Sequence, residues 1–267
     1  MSIFCDISGV VLDVMSLLMP RTCLICGRPL LENEGCVCVA CRYNIPLTGF
    51  SKRKDNPVKL IFENIMPIES ATAMFWFIGG TEWQRVIHKF KYSGRWFFAQ
   101  KMGEWLGEEL RDSGNFDDVD LIIPIPLHFR RRLMRGYNQS EQLALGVGRK
   151  LGVRCDFGSV RRCMYNDSQT SKMDFERWDN VDRIFEVRNA ERLRGRHILL
   201  VDDVLTTGAT ISSCATTIIR ACEGDVRISV ASLAVSRRIV NERESFQKDI
   251  NSVEACGGAI FRWRKML

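Results

Sequence analysis

At 267 residues the chain has room for one substantial α/β core and a small accessory module, but not for several full domains. Its hydrophobic share of 46% is ordinary for a globular protein, and no run reaches the ~20 apolar residues that a membrane helix needs. The net charge of +6 is local: residues 128–196 carry 16 basic and nine acidic side chains, net +7, a field that draws a pyrophosphate-bearing substrate or a nucleic-acid backbone.

Residues 1–19 read as an amphipathic helix, with Ile3, Ile7, Val10, Val11, Val14, Leu17 and Leu18 at helical spacing. The segment lacks the basic start of a signal peptide, and Asp6 and Asp13 interrupt it. Eleven cysteines without a secretion signal point to a reducing, cytoplasmic compartment and to metal or free thiols rather than disulfides. Residues 20–50 read as a zinc-ribbon-like module. Cys23-x-x-Cys26 and Cys38-x-x-Cys41 offer four thiolates to one tetrahedral ion, and four protein ligands make that zinc structural. Cys36 competes with Cys38 for the third position.

Residues 51–115 read as a linker with connecting helices: a polar turn at 51–57, a strand at 70–78, a helix face of Trp83, Val86, Ile87 and Phe90, and a helix from Trp96 to Arg111 carrying Phe97, Phe98, Met102, Trp105 and Leu106. The acidic turn at 115–120 marks a boundary, and the main domain is expected over 116–240, with a tail at 241–267. It opens on Leu121-Ile122-Ile123-Pro124-Ile125-Pro126-Leu127-His128, a buried strand ending in a proline-stiffened turn. Arg130, Arg131, Arg132 and Arg135 follow, and a helix runs from Gly136-Tyr137-Asn138-Gln139-Ser140 to about Leu151. Such a turn with arginines can hold pyrophosphate, because guanidinium bonds oxyanions in pairs. The polar stretch with Arg161, Arg162, Gln169, Arg177 and Asn180 reads as a loop that closes on a ligand.

The sharpest signal comes last. Ile198-Leu199-Leu200-Val201 reads as a buried strand, Asp202-Asp203 as an acidic pair, Thr206-Thr207-Gly208-Ala209-Thr210 as a turn, and the stretch from Ile211 to Ala221 as a helix. Free amides, threonine hydroxyls and a helix N-terminus favour an anion, and Gly208 supplies positive φ and close backbone approach. No lysine stands in the loop, so it is not a nucleoside-triphosphate P-loop. The two carboxylates beside an anion make sense only if they hold hydroxyls or a divalent metal. The plainer alternative is that Asp203 or Thr207 caps the helix.

This run resembles the phosphoribosyl-pyrophosphate (PRPP) loop of type I phosphoribosyltransferases. The resemblance implies that Asp202 and Asp203 hold the ribose hydroxyls and that Thr206, Thr207, Gly208, Ala209 and Thr210 hold the 5′-phosphate. Together with the two CxxC pairs, Pro-x-Pro-Leu, Arg-Gly-Tyr-Asn-Gln and Gln169…Arg177-x-x-Asn180, the chain resembles the ComF family, which includes competence protein ComFC and GntX-like proteins. The fold implied is an α/β phosphoribosyltransferase-like parallel sheet flanked by helices, with a small N-terminal zinc-ribbon-like module. A double zinc ribbon is also implied, against one Cys₄ set in this sequence. The function implied is phosphoribosyl transfer from PRPP with Mg²⁺ to an unnamed acceptor, linked to DNA uptake or DNA utilisation. Asp202 and Asp203 would be the catalytic pair. Pro124, Pro126, His128, Arg135, Arg161, Arg162 and Arg177 would hold pyrophosphate. The competing reading is a non-catalytic PRPP sensor that binds single-stranded DNA and docks DNA-uptake or processing proteins.

Overall fold

The computed structural model describes residues 21–63, 65–84, 87, 96–164 and 184–241. The helix expected over 1–19, Val86, Phe90, the loop residues Gln169, Arg177 and Asn180, and the tail from 242 lie outside the described residues. The chain divides into a smaller unit, Met1–Pro46 with Ile78–Lys89, and a larger one, Leu47–Phe77 with Phe90–Leu267.

The smaller unit starts with a knuckle. The Cys23 amide donates to Arg28 O at 2.7 Å, and the Gly27 amide donates to Cys23 O at 2.8 Å. Helix α1 (Val39–Tyr43) brings the second cysteine pair round. Glu34 closes the loop between them by accepting from the amides of Leu31 (2.8 Å) and Val39 (2.7 Å). Those two donors hold its carboxyl below the usual carboxylate range.

The larger unit contains strands β1 (Ala71–Phe77), β2 (Leu121–Pro124), β3 (Val160–Arg162), β4 (Phe185–Val187), β5 (His197–Leu205) and β6 (Arg227–Ser236). Its helices are α2 (Pro57–Glu63), α3 (Trp96–Ser113), α4 (Phe129–Arg135), α5 (Gln139–Leu151) and α6 (Ala209–Ala221). Four strands form an all-parallel sheet in the order β1-β6-β5-β2, and β3 and β4 pair as a separate antiparallel hairpin. Continuous burial along Ile198–Val201 and along β6 is what a parallel sheet covered on both faces demands.

The strand read at 70–78 belongs to this sheet, with Ala71 in register with Val230. The sheet therefore reaches back across the boundary expected at 115. The reason is edge pairing: β6 is buried along its length, and β5 covers only one of its edges. Nor is 51–57 a loose linker. Asn56 is buried, accepts from Val58 N (3.0 Å) at the start of α2 and donates to Ala71 O (2.8 Å) at the start of β1. On α3, Phe98, Met102, Trp105 and Leu106 face inward as expected, but Phe97 is exposed, one residue off that stripe.

A further short pairing lies beyond β2. Cys155 bridges Ile122 in parallel, with Ile122 N donating to Arg154 O and Asp156 N to Ile122 O, both at 2.9 Å. From β2 the chain leaves through α5 toward this outer position, whereas from β5 it leaves through α6 toward β6. The two connections diverge, so the carboxyl ends of β2 and β5 flank a topological switch point, the place where such sheets bind ligands.

Helices α3 and α5 meet backbone to backbone. A Cβ on Gly146 would collide with Gln100 O and lie 2.6 Å from Glu104 N, and one on Gly103 would collide with Leu143 O. Gly146→Ala is expected to lower stability by about 3 kcal/mol through overpacking, measured by urea unfolding. A loss under about 1 kcal/mol would mean that the helices can part at little cost.

At the amino ends of β5 and β6, His197 contacts Asp118 Oδ1 through Nδ1 (2.9 Å) and Ser229 Oγ through Nε2 (2.8 Å). This has the connectivity of a hydrolase triad, but Ser229 is fully buried and its Oγ accepts from Ser70 N at 3.2 Å. A nucleophile with no access attacks nothing. The group is a clamp, completed by Arg227, whose hydrogen bond to Asp118 holds that carboxyl below its ordinary value.

Candidate functional site

Strand β5 continues through the acidic pair to Leu205 instead of stopping at Val201. Pairing with β6 carries it there: Asp202 stands opposite Ser232 and Val204 opposite Ala234. Asp202 Oδ1 accepts from Ser140 Oγ and from Asp203 N, each at 2.9 Å, and Asp203 Oδ1 accepts from Val204 N at 2.8 Å. Both carboxylates remain half-buried, within reach of solvent.

The loop after β5 exposes Thr206, Thr207, Ala209 and Thr210 and buries Gly208. Gly208 is the N-cap of α6, at φ 79, and no side chain caps the helix. The capping alternative therefore fails: Asp203 is turned to Val204, and Thr207 Oγ1 reaches Ala209 N at only 3.4 Å. A Cβ on Gly208 would sit 2.9 Å from Ile61 Cγ2 and 3.2 Å from Phe62 Cε1. Gly208 also lets the loop pack closely against α2, which braces it. The result is an exposed run of hydroxyls at an uncapped 13-residue helix, a surface that favours an anion.

On the neighbouring strand, Ile125 N donates to Val201 O at 2.9 Å, which ties the Pro124–His128 turn to β5. Pro124 is buried, and Pro126 is half-buried. His128 is buried and caps α4, its Nδ1 accepting from Arg130 N at 3.4 Å. Helix α4 buries none of its residues, and Arg135 donates to Gln139 Oε1 at 3.3 Å. The two hairpin arginines part company. Arg161 is committed to Glu186 across the β3–β4 register, with Nη2 at 2.6 Å from Oε2. Arg162 lies over the Phe185 ring, 5.6 Å from its centroid, and its buried Nε has no partner among the described residues. Burial and then the like charge of Arg131 lower the Arg162 guanidinium, against the pull of Asp202. Arg162 therefore feels the charge of Asp202, whereas Arg161 is paired with Glu186 on the hairpin. Arg177 lies outside the described residues.

Two residues missed as site members join the halves of this crevice. Asn138 is buried, accepts from Ser140 N (3.1 Å) and donates to Ile125 O (3.1 Å), while Ser140 holds Asp202. Asn-Gln-Ser after Gly136 reads as a helix start, but nothing local points to a partner 62 residues away.

In the smaller unit the sulfurs of Cys23, Cys26, Cys38 and Cys41 all lie within 4.8 Å of one another, with Cys26 and Cys38 at 3.7 Å. A tetrahedral site with zinc–sulfur bonds of ~2.3 Å places its sulfurs about 3.8 Å apart, so these four fit such an ion. Cys38 is in the cluster and Cys36 is not. The Arg28 backbone amide and then its guanidinium bring the Cys26 thiol down to about 6, whereas burial pushes Cys38 and Cys41 up. No second such cluster occurs among the described residues. Among them, too, no helix is long and apolar enough to cross a membrane.

No family model matches the chain. Among solved structures it is similar to the glutamine PRPP amidotransferase from B. subtilis, at TM-score 0.39 and 15% identity over 55% of this chain and 30% of that one. It is also similar to adenine phosphoribosyltransferase from Saccharomyces cerevisiae, at TM-score 0.35 and 14% identity over 60% and 78%. Among curated proteins it is 33% identical over 138 residues to DNA utilization protein YhgH of Escherichia coli O6:H1, a match covering 51% of this chain and 60% of that protein. It is 28% identical over 131 residues to competence protein F of Haemophilus influenzae, covering 48% and 57%. With competence protein ComFC of Bacillus subtilis it shares 34% identity over 95 residues, 36% of each chain. The chain thus spans about 60% of the length of the first of these relatives. Over the matched stretches, a cysteine-clustered chain with a helix-flanked parallel sheet is a homologue of proteins named for DNA utilization and competence.

Proposed function

We propose that the crevice at the carboxyl ends of β2 and β5 binds PRPP with Mg²⁺ and that the chain transfers its phosphoribosyl group to an acceptor. The observation that carries this reading is the juxtaposition of a half-buried acidic pair with an exposed hydroxyl loop at an uncapped helix N-terminus. Asp202 and Asp203 accept from the ribose hydroxyls. Thr206, Thr207, Ala209 and Thr210 donate to the 5′-phosphate, and Gly208 sets their turn. Arg162, with the Pro124–His128 turn, holds the pyrophosphate, and Arg135 adds positive charge nearby. Mg²⁺ suits the site because one or two carboxylates plus substrate phosphates are its usual ligands. In transfer, the bond from the anomeric carbon to the pyrophosphate oxygen breaks, and pyrophosphate leaves with the electron pair. The acceptor bonds to that carbon and gives up a proton. The side chains contribute position and field. Cys23, Cys26, Cys38 and Cys41 hold a structural zinc ion, and reduced thiols agree with a cytoplasmic setting. The names of the relatives support a link to DNA uptake or utilisation. Calorimetric titration of Mg²⁺–PRPP into the zinc-loaded chain tests the reading, and absence of heat at millimolar ligand would sink it.

A second reading has its own observation. Helix α4 carries Arg130, Arg131, Arg132 and Arg135 in seven residues and leaves Phe129, Leu133 and Met134 exposed. Arginines beside an exposed aromatic suit single-stranded DNA, through phosphate contacts and base stacking. The expected result is oligonucleotide affinity that falls steeply from 50 to 200 mM salt in fluorescence anisotropy. Salt-independent binding, or none at low salt, would remove this reading.

A further inference from the structure

We infer that Ser140 is a positioning residue for Asp202, and that the first turn of α5 is the brace that keeps the two sides of the crevice in register. The role rests on the PRPP reading of the pocket. Ser140 is 5% exposed, and its hydroxyl donates to Asp202 Oδ1 at 2.9 Å. The Asp203 amide donates to the same oxygen at 2.9 Å. Two donors on one oxygen fix the plane of a carboxylate that would otherwise turn about its two side-chain torsions. The bond is part-buried, and a charge-assisted hydrogen bond is stronger there than at the open surface.

The same helical turn reaches the other strand. Asn138, 2% exposed, accepts from Ser140 N and donates to Ile125 O in the proline turn, both at 3.1 Å. One rigid element thus grips the turn after β2 through Asn138 and the acid on β5 through Ser140. Behind it, α5 is locked against α3 by the close approach at Gly146. A ligand entering the crevice meets a carboxylate already oriented and loses no affinity to ordering it. A serine kept only to start a helix would need no contact with Asp202, because Asn138 already supplies the cap.

The test is titration of Mg²⁺–PRPP into the wild-type chain, Ser140→Ala and Ser140→Thr, with the melting temperature of each recorded. Ser140→Ala is expected to bind about tenfold more weakly, the loss of one charge-assisted bond, while Ser140→Thr, which keeps the hydroxyl, stays within about twofold of wild type. Wild-type affinity in Ser140→Ala, or equal weakness in Ala and Thr variants that melt normally, would overturn the inference. A wild-type chain that takes up no PRPP would instead overturn the ligand reading. The brace is then judged on the free chain, by melting Ser140→Ala, Asp202→Ala and the double variant. Non-additive losses support the bond, and additive losses refute it.

Discussion

Replacing Asp202 and Asp203 together by asparagine is expected to abolish the proposed Mg²⁺–PRPP binding while leaving the fold intact. Each carboxylate contributes charge-assisted hydrogen bonds of about 1.5–3 kcal/mol, so one substitution weakens binding by about tenfold or more and two by a hundredfold or more. The fold survives because the substituted groups keep their local partners. An asparagine carbonyl still accepts from Ser140 Oγ and Asp203 N at the first position, and from Val204 N at the second. The check is calorimetric titration beside a melting curve. Retained affinity in a double variant that melts like the wild type would remove the acidic pair from the site. Loss of affinity with an unchanged melting temperature would place the effect in the crevice and justify a search for the acceptor.

What the sequence disclosed about this site follows from where its parts lie along the chain. The acidic pair, the threonine loop and the start of α6 occupy ten contiguous residues, so one strand-turn-helix pattern revealed them together. The cysteine cluster was legible for the same reason: two short spacings predict two turns that face one ion. The ambiguity between Cys36 and Cys38 needed coordinates: Cys36 lies in a bend and Cys38 is the N-cap of α1, and only Cys38 has its sulfur in the cluster. Less legible was anything made by pairing across the chain. Arg161 and Arg162 look equivalent in sequence, yet the β3–β4 register gives Glu186 to the first and Phe185 to the second. Membership of β1 in the sheet depends on the free edge of β6, more than 150 residues away. The clamp of Asp118, His197 and Ser229 and the bond from Ser140 to Asp202 are likewise tertiary facts, and no local propensity announces them.

Removing the proposed zinc is expected to unfold residues 21–46 and to spare the sheet. Within 21–46, the buried apolar side chains other than Cys23, Cys38 and Cys41 are Ile25 and Val37. A segment this size does not form a sufficient hydrophobic core, and structural zinc supplies about 10–16 kcal/mol to comparable modules near neutral pH. The larger unit carries its own core around β5, β6 and α6, including Leu200, Val230 and Ile218, and needs no metal to hold it. Chelation is therefore expected to collapse amide-exchange protection at Cys23, Leu24 and Gly27, whose amides close the knuckle, and to leave β5 and β6 protected. The cysteines separate this from general destabilisation. Cys38→Ser is expected to lose the bound zinc measured by elemental analysis, because Cys38 belongs to the set of four, whereas Cys36→Ser keeps one ion per chain. Equal zinc in both variants would show that the four sulfurs are a reduced thiol cluster and not a metal site. A sheet that melts with the knuckle would show that the two units fold as one. A split in which the knuckle is lost and the crevice still binds would make the cysteine module separable from the domain that carries the crevice.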